Sequence, residues 1–185
     1  MVIEEYNTNW PKQFLQIKEA INKNLSKIIT IEHVGSTSID GMCAKPVIDI
    51  IIIIDRKDDF EIAKKELESI GYYHNGDQGA PGREVFKRNK LLFDEILDTI
   101  SHHLYVCSKD NDELKKEVLF RDYLKKHEDS KKAYYNIKKE IIQKTGNENR
   151  EAYVSMKAND YSWFFNEVRE KAEKEYADNG SPELW

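Results

Sequence analysis

One short stretch of the chain, Val47 to Ile54, is aliphatic at every position except Asp49. A β-branched run of this length predicts a strand that is buried on both faces, and the run is too short to span a bilayer. A buried carboxylate is costly unless it is paired, bound to a metal or protonated. Asp49 is therefore either satisfied by its neighbours or has a functional role.

Composition and charge limit the class of protein. The 185 residues suit one domain, or one domain with an appended helical lobe, and 34% of them are charged. The net charge of −5 argues against general nucleic-acid binding, but a local basic patch can still hold one phosphorylated small molecule. We expect no nucleic-acid or membrane partner, and the sequence leaves the oligomeric state open.

The localisation expected from the sequence is cytoplasmic. The first residues lack a basic segment followed by an apolar one, so no signal peptide is predicted. Cys43 and Cys107 are far apart and form no Cys-x-x-Cys pair, which favours reduced thiols.

Periodicity and turn signals predict a mixed α/β region followed by helices. The first region contains, in order, a helix over residues 9–27, a strand over 28–34, a loop over 35–45 and the isoleucine strand. A helix capped by Asp58 follows, then a short strand over 72–74, a hairpin made from residues 83–88 and 91–98, and a strand over 101–107. The helices expected after these cover 110–126, 130–144 and 148–176, and residues 179–185 are expected to form a frayed tail.

The loop before the isoleucine strand contains a candidate phosphate cradle. Gly35 permits a close approach or a positive φ, and Ser36 and Thr37 offer hydroxyl and backbone N–H donors. A glycine-serine pair alone is equally typical of an ordinary turn. Its combination with Asp49 on the next strand is stronger, because a carboxylate that holds Mg²⁺ beside a phosphate cradle suits phosphoryl or nucleotidyl transfer. Lys45 adds a positive charge nearby.

The stretch HVGSTSIDGMCAKPVIDI, residues 33–50, resembles the signature of the GrpB family (UPF0157). The shared positions are His33, Gly35, Ser36, Thr37, Gly41, Ala44, Lys45, Pro46 and Asp49. Later blocks also resemble the family in the right order; they are NWPKQF, FRDYL, YYNIKKE and REAYVSMK.

The resemblance implies an α/β fold of the nucleotidyltransferase (polymerase-β-like) superfamily, with a mixed sheet flanked by helices and a C-terminal helical region. It implies a single domain over residues 1–185, divided into an α/β core over about 1–109 and a helical region over about 110–178. It implies nucleotidyl transfer less firmly.

The chain departs from the superfamily pattern at Ile51. Active members usually carry two carboxylates two residues apart, which point to the same side of the strand. Here the position paired with Asp49 is aliphatic, which weakens the basis for two-metal chemistry. Glu84, Asp94, Glu95 and Asp98 are possible third carboxylates, although a solvated hairpin face also explains them. His103 is predicted either to act at the site or to be a hydrogen-bonded structural histidine.

The leading hypothesis is a nucleotidyltransferase-fold protein that binds a nucleotide or phosphorylated small molecule, and that transfers a nucleotidyl group with Mg²⁺ if it is an enzyme. Asp49 and His103 are the predicted catalytic residues, and Asp49 is the predicted metal ligand. The predicted substrate-binding residues are Gly35, Ser36, Thr37, Lys45, Arg121 and Lys157. The alternatives are a non-catalytic binding module on the same fold and an enzyme that modifies nucleic acid. His33 is expected to orient the turn, and Tyr134, Trp163 and Phe164 are expected to pack helices together.

Overall fold

The isoleucine run forms the second strand of a five-stranded mixed sheet. The computed structural model describes residues 2–89 and 91–180. The spatial order of the strands is β1-β2-β5-β4-β3. Their bounds are Thr30–Val34 for β1, Ile48–Ile54 for β2, Tyr72–His74 for β3, Arg83–Arg88 for β4 and His102–Ser108 for β5.

The strand register sets the two faces of the sheet. β2 runs parallel to β5, with Asp49 opposite His103 and Ile51 opposite Tyr105, and it runs antiparallel to β1. Because side chains alternate along a strand, Asp49 and Ile51 lie on one face, whereas Ile50 lies on the other. Six of the seven β2 residues are buried, as predicted, and Asp49 is the exception.

Seven α-helices accompany the sheet in the described part of the chain. Their bounds are Trp10–Asn22 (α1), Phe60–Ser69 (α2), Glu95–Thr99 (α3), Asp112–Lys126 (α4), Glu128–Thr145 (α5), Arg150–Asn159 (α6) and Ser162–Asp178 (α7). Helices α1 and α2 pack on the Ile50 face, and α4 packs on the Ile51 face through Leu114 and Val118. No described helix combines the length and apolarity needed to cross a membrane.

The predicted fold class is confirmed, since a mixed sheet is flanked by helices and a helical region follows it. The division of the chain near residue 110 stays a prediction. The predicted helix over 148–176 is two helices, because Asp160 and Tyr161 interrupt it between α6 and α7. The expected tail lies largely at residues 181–185, which are outside the described residues.

The predicted hairpin is wrong. Residues 83–88 form β4, but the second arm folds into α3 instead of a strand. The Asp94 carboxylate accepts hydrogen bonds from the backbone N–H groups of Ile96 and Leu97, which starts a helix at that point. The predicted cap at Asp58 is also misplaced: Asp59 precedes α2, and its carboxylate accepts a hydrogen bond from the backbone N–H of Arg56.

Candidate functional site

Asp49 and His103 form a hydrogen-bonded pair on two neighbouring parallel strands. Their Cα positions are partners in the register, so both side chains leave the same face of the sheet. His103 Nδ1 donates to Asp49 Oδ1 over 2.7 Å, and the two side chains are 45% and 30% exposed. Asp49 is therefore a half-buried carboxylate with a partner, and the desolvation cost inferred from its apolar neighbours is largely avoided.

Gly35 packs directly against the Asp49 carboxylate. Its backbone has φ 70° and ψ −174°, a region that is essentially limited to glycine. A Cβ atom built on Gly35 would lie 2.4 Å from Asp49 Oδ2, which is closer than real contacts allow. The turn that follows is a short 3-10 helix, Ser36–Ser38, in which Ser38 Oγ donates to the Gly35 carbonyl. The conformational freedom predicted for Gly35 is therefore used at this contact.

The predicted cradle residues differ in their access to a ligand. Ser36 lines a cavity, and its Oγ lies 3.4 Å from the Tyr134 hydroxyl. Thr37 is 1% exposed, and its Oγ1 lies 3.0 Å from His33 Nε2 and 3.4 Å from the Val47 carbonyl oxygen. Burial lowers the pKa of His33 to about 4, so its ring is neutral at pH 7. Ser36 offers its hydroxyl to the cavity, whereas the Thr37 hydroxyl holds the turn together.

Two cavities meet at this turn. The first cavity, about 260 Å³, lies between the sheet and helices α4 to α7, and Arg83, Glu117, Tyr134 and Arg169 contribute to its lining. The second cavity, about 190 Å³, lies between the turn, His103 and α6. The residues that line both are Ser36, Asp49 and Lys157.

The second cavity is strongly basic. Its charged lining comprises Lys45, Lys138, Arg150 and Lys157, against Asp49. Burial, with a smaller repulsion from Arg150, lowers the pKa of Lys45, and the attraction of Asp49 partly offsets these effects. Cations that repel one another in a partly buried space favour an anionic ligand, because the anion relieves the repulsion.

The first cavity has a mixed lining. Burial raises the pKa of Glu117, while Arg169 and Arg83 oppose that shift. Among the buried side-chain nitrogen and oxygen atoms of residues 2–89 and 91–180, the Nε atoms of Arg83 and Arg169 have no hydrogen-bond partner. Atoms this inaccessible do not face the cavity, so the two arginines contribute to its lining through the positive charge of the guanidinium and not through these Nε donors.

Arg121 borders the first cavity, but its guanidinium makes structural bonds. It donates through Nη1 to Glu32 and to the His33 carbonyl, and through Nε and Nη2 to Asp122. Arg121 is 9% exposed. In this structure the side chain joins α4 to β1, and its predicted role in substrate binding stays a prediction.

Tyr134 and Glu117 line the first cavity and Lys138 lines the second, although none of the three is among the predicted site residues. Tyr134 was expected to pack helices, and it does contact the rings of Phe120 and Phe164, but it also lines the first cavity, with its hydroxyl beside Ser36. The available signal was the family-like block YYNIKKE, which places Tyr134 and Lys138 four residues apart on one helix face.

The other candidate carboxylates have structural partners. Glu84 lies on the opposite face of the sheet from Asp49 and contacts His74 over 2.6 Å. Asp94 caps α3, and Asp98 pairs with Arg88 over 2.7 Å. Glu95 is exposed in the first turn of α3. Glu84 points to the face opposite Asp49, and α3, where the other three lie, packs through Leu97 into the cluster on the Ile50 face.

The donor set around Asp49 does not fit a metal cage made by the protein. One Asp49 oxygen accepts from His103, the other lies against Gly35, and Ile51 occupies the position of the usual second carboxylate. No group of three or more His, Cys, Asp or Glu side chains suited to a metal ion occurs among the residues that the structure describes. Two-metal chemistry needs several such ligands.

Comparisons with known proteins identify relatives over most of the chain. The family model described as GrpB protein matches residues 1–170. The UPF0157 protein YqkA of Bacillus subtilis is 32% identical over 139 residues, which cover 74% of this chain and only 38% of that relative. The crystal structure of conserved protein GrpB from Enterococcus faecalis aligns with a TM-score of 0.76 at 27% identity, covering 95% of this chain and 99% of that one.

A weaker likeness joins the chain to Cid1 in complex with the UTP analog UMPNPP. The TM-score is 0.38 at 12% identity, and the alignment covers 65% of this chain and 39% of that one. This likeness is too low to carry a conclusion about activity.

Proposed function

The chain belongs to the GrpB family, and we propose that it binds a phosphorylated small molecule, such as a nucleotide, where the two cavities meet at Asp49. The observation that carries this proposal is the cationic lining of the two cavities: Lys157 borders both, Lys45 and Arg150 add charge to the second, and Arg83 and Arg169 add charge to the first. Arginine N–H groups suit phosphate oxygens in number and geometry.

The charge around the junction supports the same ligand class. Lys45, Arg150 and Lys157 would hold phosphate oxygens in the second cavity, and the Ser36 hydroxyl would donate from the shared wall. The first cavity would take the rest of the molecule, because Ile39, Phe120 and Phe165 add apolar and aromatic surface to its charged lining.

The geometry favours a binding module over a nucleotidyltransferase. Asp49 is the one carboxylate that β2 directs to the site, and Ile51 is 1% exposed within an apolar cluster. The proposed binding needs no Mg²⁺, because Lys45, Arg150 and Lys157 would balance the charge of the phosphate. A Mg²⁺ ion held jointly by Asp49 and the ligand phosphates would belong to the transferase candidate alone.

A transfer reaction is the second candidate, and the Asp49–His103 pair favours it. The bond from Nδ1 to Asp49 fixes the histidine ring, so that the other ring nitrogen, Nε2, is available for proton transfer beside the second cavity. Asp49 and His103 would then act on a substrate whose phosphate is already held by the lysines.

Calorimetric titration of the whole chain with inorganic phosphate, pyrophosphate and a nucleotide panel tests the binding proposal. Loss of one charged contact in Lys157→Met or Lys45→Met should weaken binding about 10-fold or more. Lys132→Met, an exposed lysine on α5, is the matched control and should bind like wild type. Absence of binding by every phosphate compound, or equal weakening in the control, would overturn the proposal.

Asp49→Asn separates the two candidates. A binding module should hold phosphate at least as tightly after the change without Mg²⁺, because a negative charge has been removed. A metal-dependent transferase should lose the Mg²⁺-dependent part of binding and any turnover. The thermal unfolding temperature of Asp49→Asn, compared with wild type in the absence of ligand, shows whether the fold has survived.

A further inference from the structure

The Tyr134 hydroxyl lies beside Ser36, a residue that lines both cavities of the candidate ligand site. Tyr134 is 2% exposed on α5, yet it contributes to the lining of the first cavity. Its ring is held by Phe120, Phe164 and Phe165, so the position of the hydroxyl is fixed. The Ser36 Oγ, from the turn beside Asp49, lies 3.4 Å from the hydroxyl oxygen.

Two lysines flank this phenol. Lys138 Nζ lies 4.6 Å from the centre of the ring, and Lys157 Nζ lies 5.8 Å from it. Lys138 is 3% exposed and donates to the Cys43 carbonyl. Lys157 lines both cavities, so Tyr134 and a bound anion would share the same ammonium group.

We infer that Tyr134 is a proton-linked binding residue: its neutral hydroxyl donates a hydrogen bond to an oxygen of the bound phosphate, and its ionised form competes with that phosphate for Lys157. This inference rests on the proposed function and adds a residue and a pH dependence to it. No covalent step is involved. When the phenol ionises, its proton is released to solvent.

The charges around the ring support an ionisable phenol. Burial alone would raise the pKa of Tyr134, but Lys138, Lys157 and the hydrogen bonds from Ser36 and Lys157 outweigh it and lower that pKa to about 8. The charged or titratable groups that face the phenol or share its cavity are Lys138 of α5, Lys157 and Tyr153 of α6, Glu117 and Arg121 of α4, Arg169 of α7, Asp49 of β2, Arg83 of β4 and Tyr105 of β5.

The other tyrosines whose pKa is shifted have a raised pKa, so they ionise at higher pH than Tyr134. They are Tyr6, Tyr72, Tyr105, Tyr135 and Tyr153. The ionisation of Tyr134 can therefore be followed separately by absorbance.

Absorbance titration of the phenolate band of the whole protein, with and without saturating inorganic phosphate, tests the inference. Because inorganic phosphate itself loses a proton near neutral pH, its affinity is compared between wild type and Tyr134→Phe at each pH, so that its own titration cancels. We expect one tyrosine to ionise near pH 8 in the free protein. Phosphate should raise that midpoint by about one unit, because the anion repels the phenolate. By linkage, phosphate affinity should then fall about tenfold as the phenol ionises.

Two variants decide between the outcomes. Tyr134→Phe should lose the early ionisation and the extra loss of phosphate affinity at high pH, whereas Tyr135→Phe, its neighbour on α5, should keep both. Phosphate binding with an unmoved midpoint, or an early ionisation that survives in Tyr134→Phe, would overturn the inference and leave the proposed function standing. Absence of phosphate binding at every pH would overturn both.

Discussion

Replacement of Gly35 by alanine is the most direct test of the geometry at Asp49. The new Cβ would stand 2.4 Å from Asp49 Oδ2 and 3.1 Å from Asp49 Cβ and Cγ. It would also force an L-residue into φ 70°, ψ −174°, which costs about 1–3 kcal/mol. The steric contact and the backbone strain therefore both arise at Gly35, which lies between the turn and the Asp49 carboxylate.

The steric effect adds to the backbone cost. To relieve the contact, the Asp49 side chain must move and weaken its 2.7 Å bond from His103. A hydrogen bond to a charged group contributes about 1.5–3 kcal/mol, and the half-exposed setting of this pair places it at the low end. We therefore expect Gly35→Ala to lower the free energy of unfolding by about 3 kcal/mol. For a chain of this size that corresponds to a fall in Tm of about 6–12 °C.

Urea denaturation of four proteins separates the two effects. The four are the wild type, Gly35→Ala, Asp49→Ala and the double variant. In the Asp49→Ala background the carboxylate contact is gone and only the 3.1 Å contact with the Cβ of residue 49 remains, so Gly35→Ala should cost about 1–2 kcal/mol less than in the wild type. An equal cost in both backgrounds would refute the carboxylate contact. A cost below about 0.5 kcal/mol in the wild type would refute the requirement for glycine itself.

Three further changes test the surrounding structure. Arg121→Met should lower the free energy of unfolding, measured in urea, by about 2 kcal/mol, because its bonds to Glu32 and Asp122 are lost. Arg121→Lys should restore little of this stability, since an ammonium group cannot reproduce the guanidinium fork. A methionine variant as stable as wild type would contradict this account. The bond from Arg88 lowers the pKa of Asp98 from 3.8 to about 2, so the stabilisation is present above about pH 4 and is lost as the pH falls toward 2. In thermal unfolding, Asp98→Asn should therefore be less stable than wild type at pH 7, and its stability should fall less than that of wild type as the pH is lowered through this range. Identical dependence of stability on pH in the two proteins would refute the role given to the Arg88–Asp98 pair. Ile51→Asp should lower the free energy of unfolding, measured in urea, by about 3 kcal/mol or more, because it buries a carboxylate. The control Ile51→Val should lower it by about 1 kcal/mol. Equal losses in the two variants would show that water reaches the position.

The sequence predicted the parts of the site that depend on local order along the chain. The isoleucine run required a buried strand, and the glycine after Val34 marked a close approach, because both are properties of a few consecutive residues. The family-like signature also located Ser36, Lys45 and Asp49, which the structure brings to adjoining cavities. Local patterns failed at residues 91–98, where the Asp94 cap and the Arg88–Asp98 pair produced a helix in place of a strand.

The tertiary structure decided which side chains share the site and which are occupied elsewhere. Arg121 is predicted to bind substrate, and only the folded chain shows that its guanidinium also contacts Glu32, which is 89 residues away in sequence. Tyr134 looked like a packing residue, but its hydroxyl faces Ser36, 98 residues away, and Lys157 from another helix. The sequence by itself determined a buried strand, its single carboxylate and the turn beside it. The charge that surrounds that carboxylate was decided only when distant helices packed together, because electrostatic interactions depend on separation in space and not on separation along the chain.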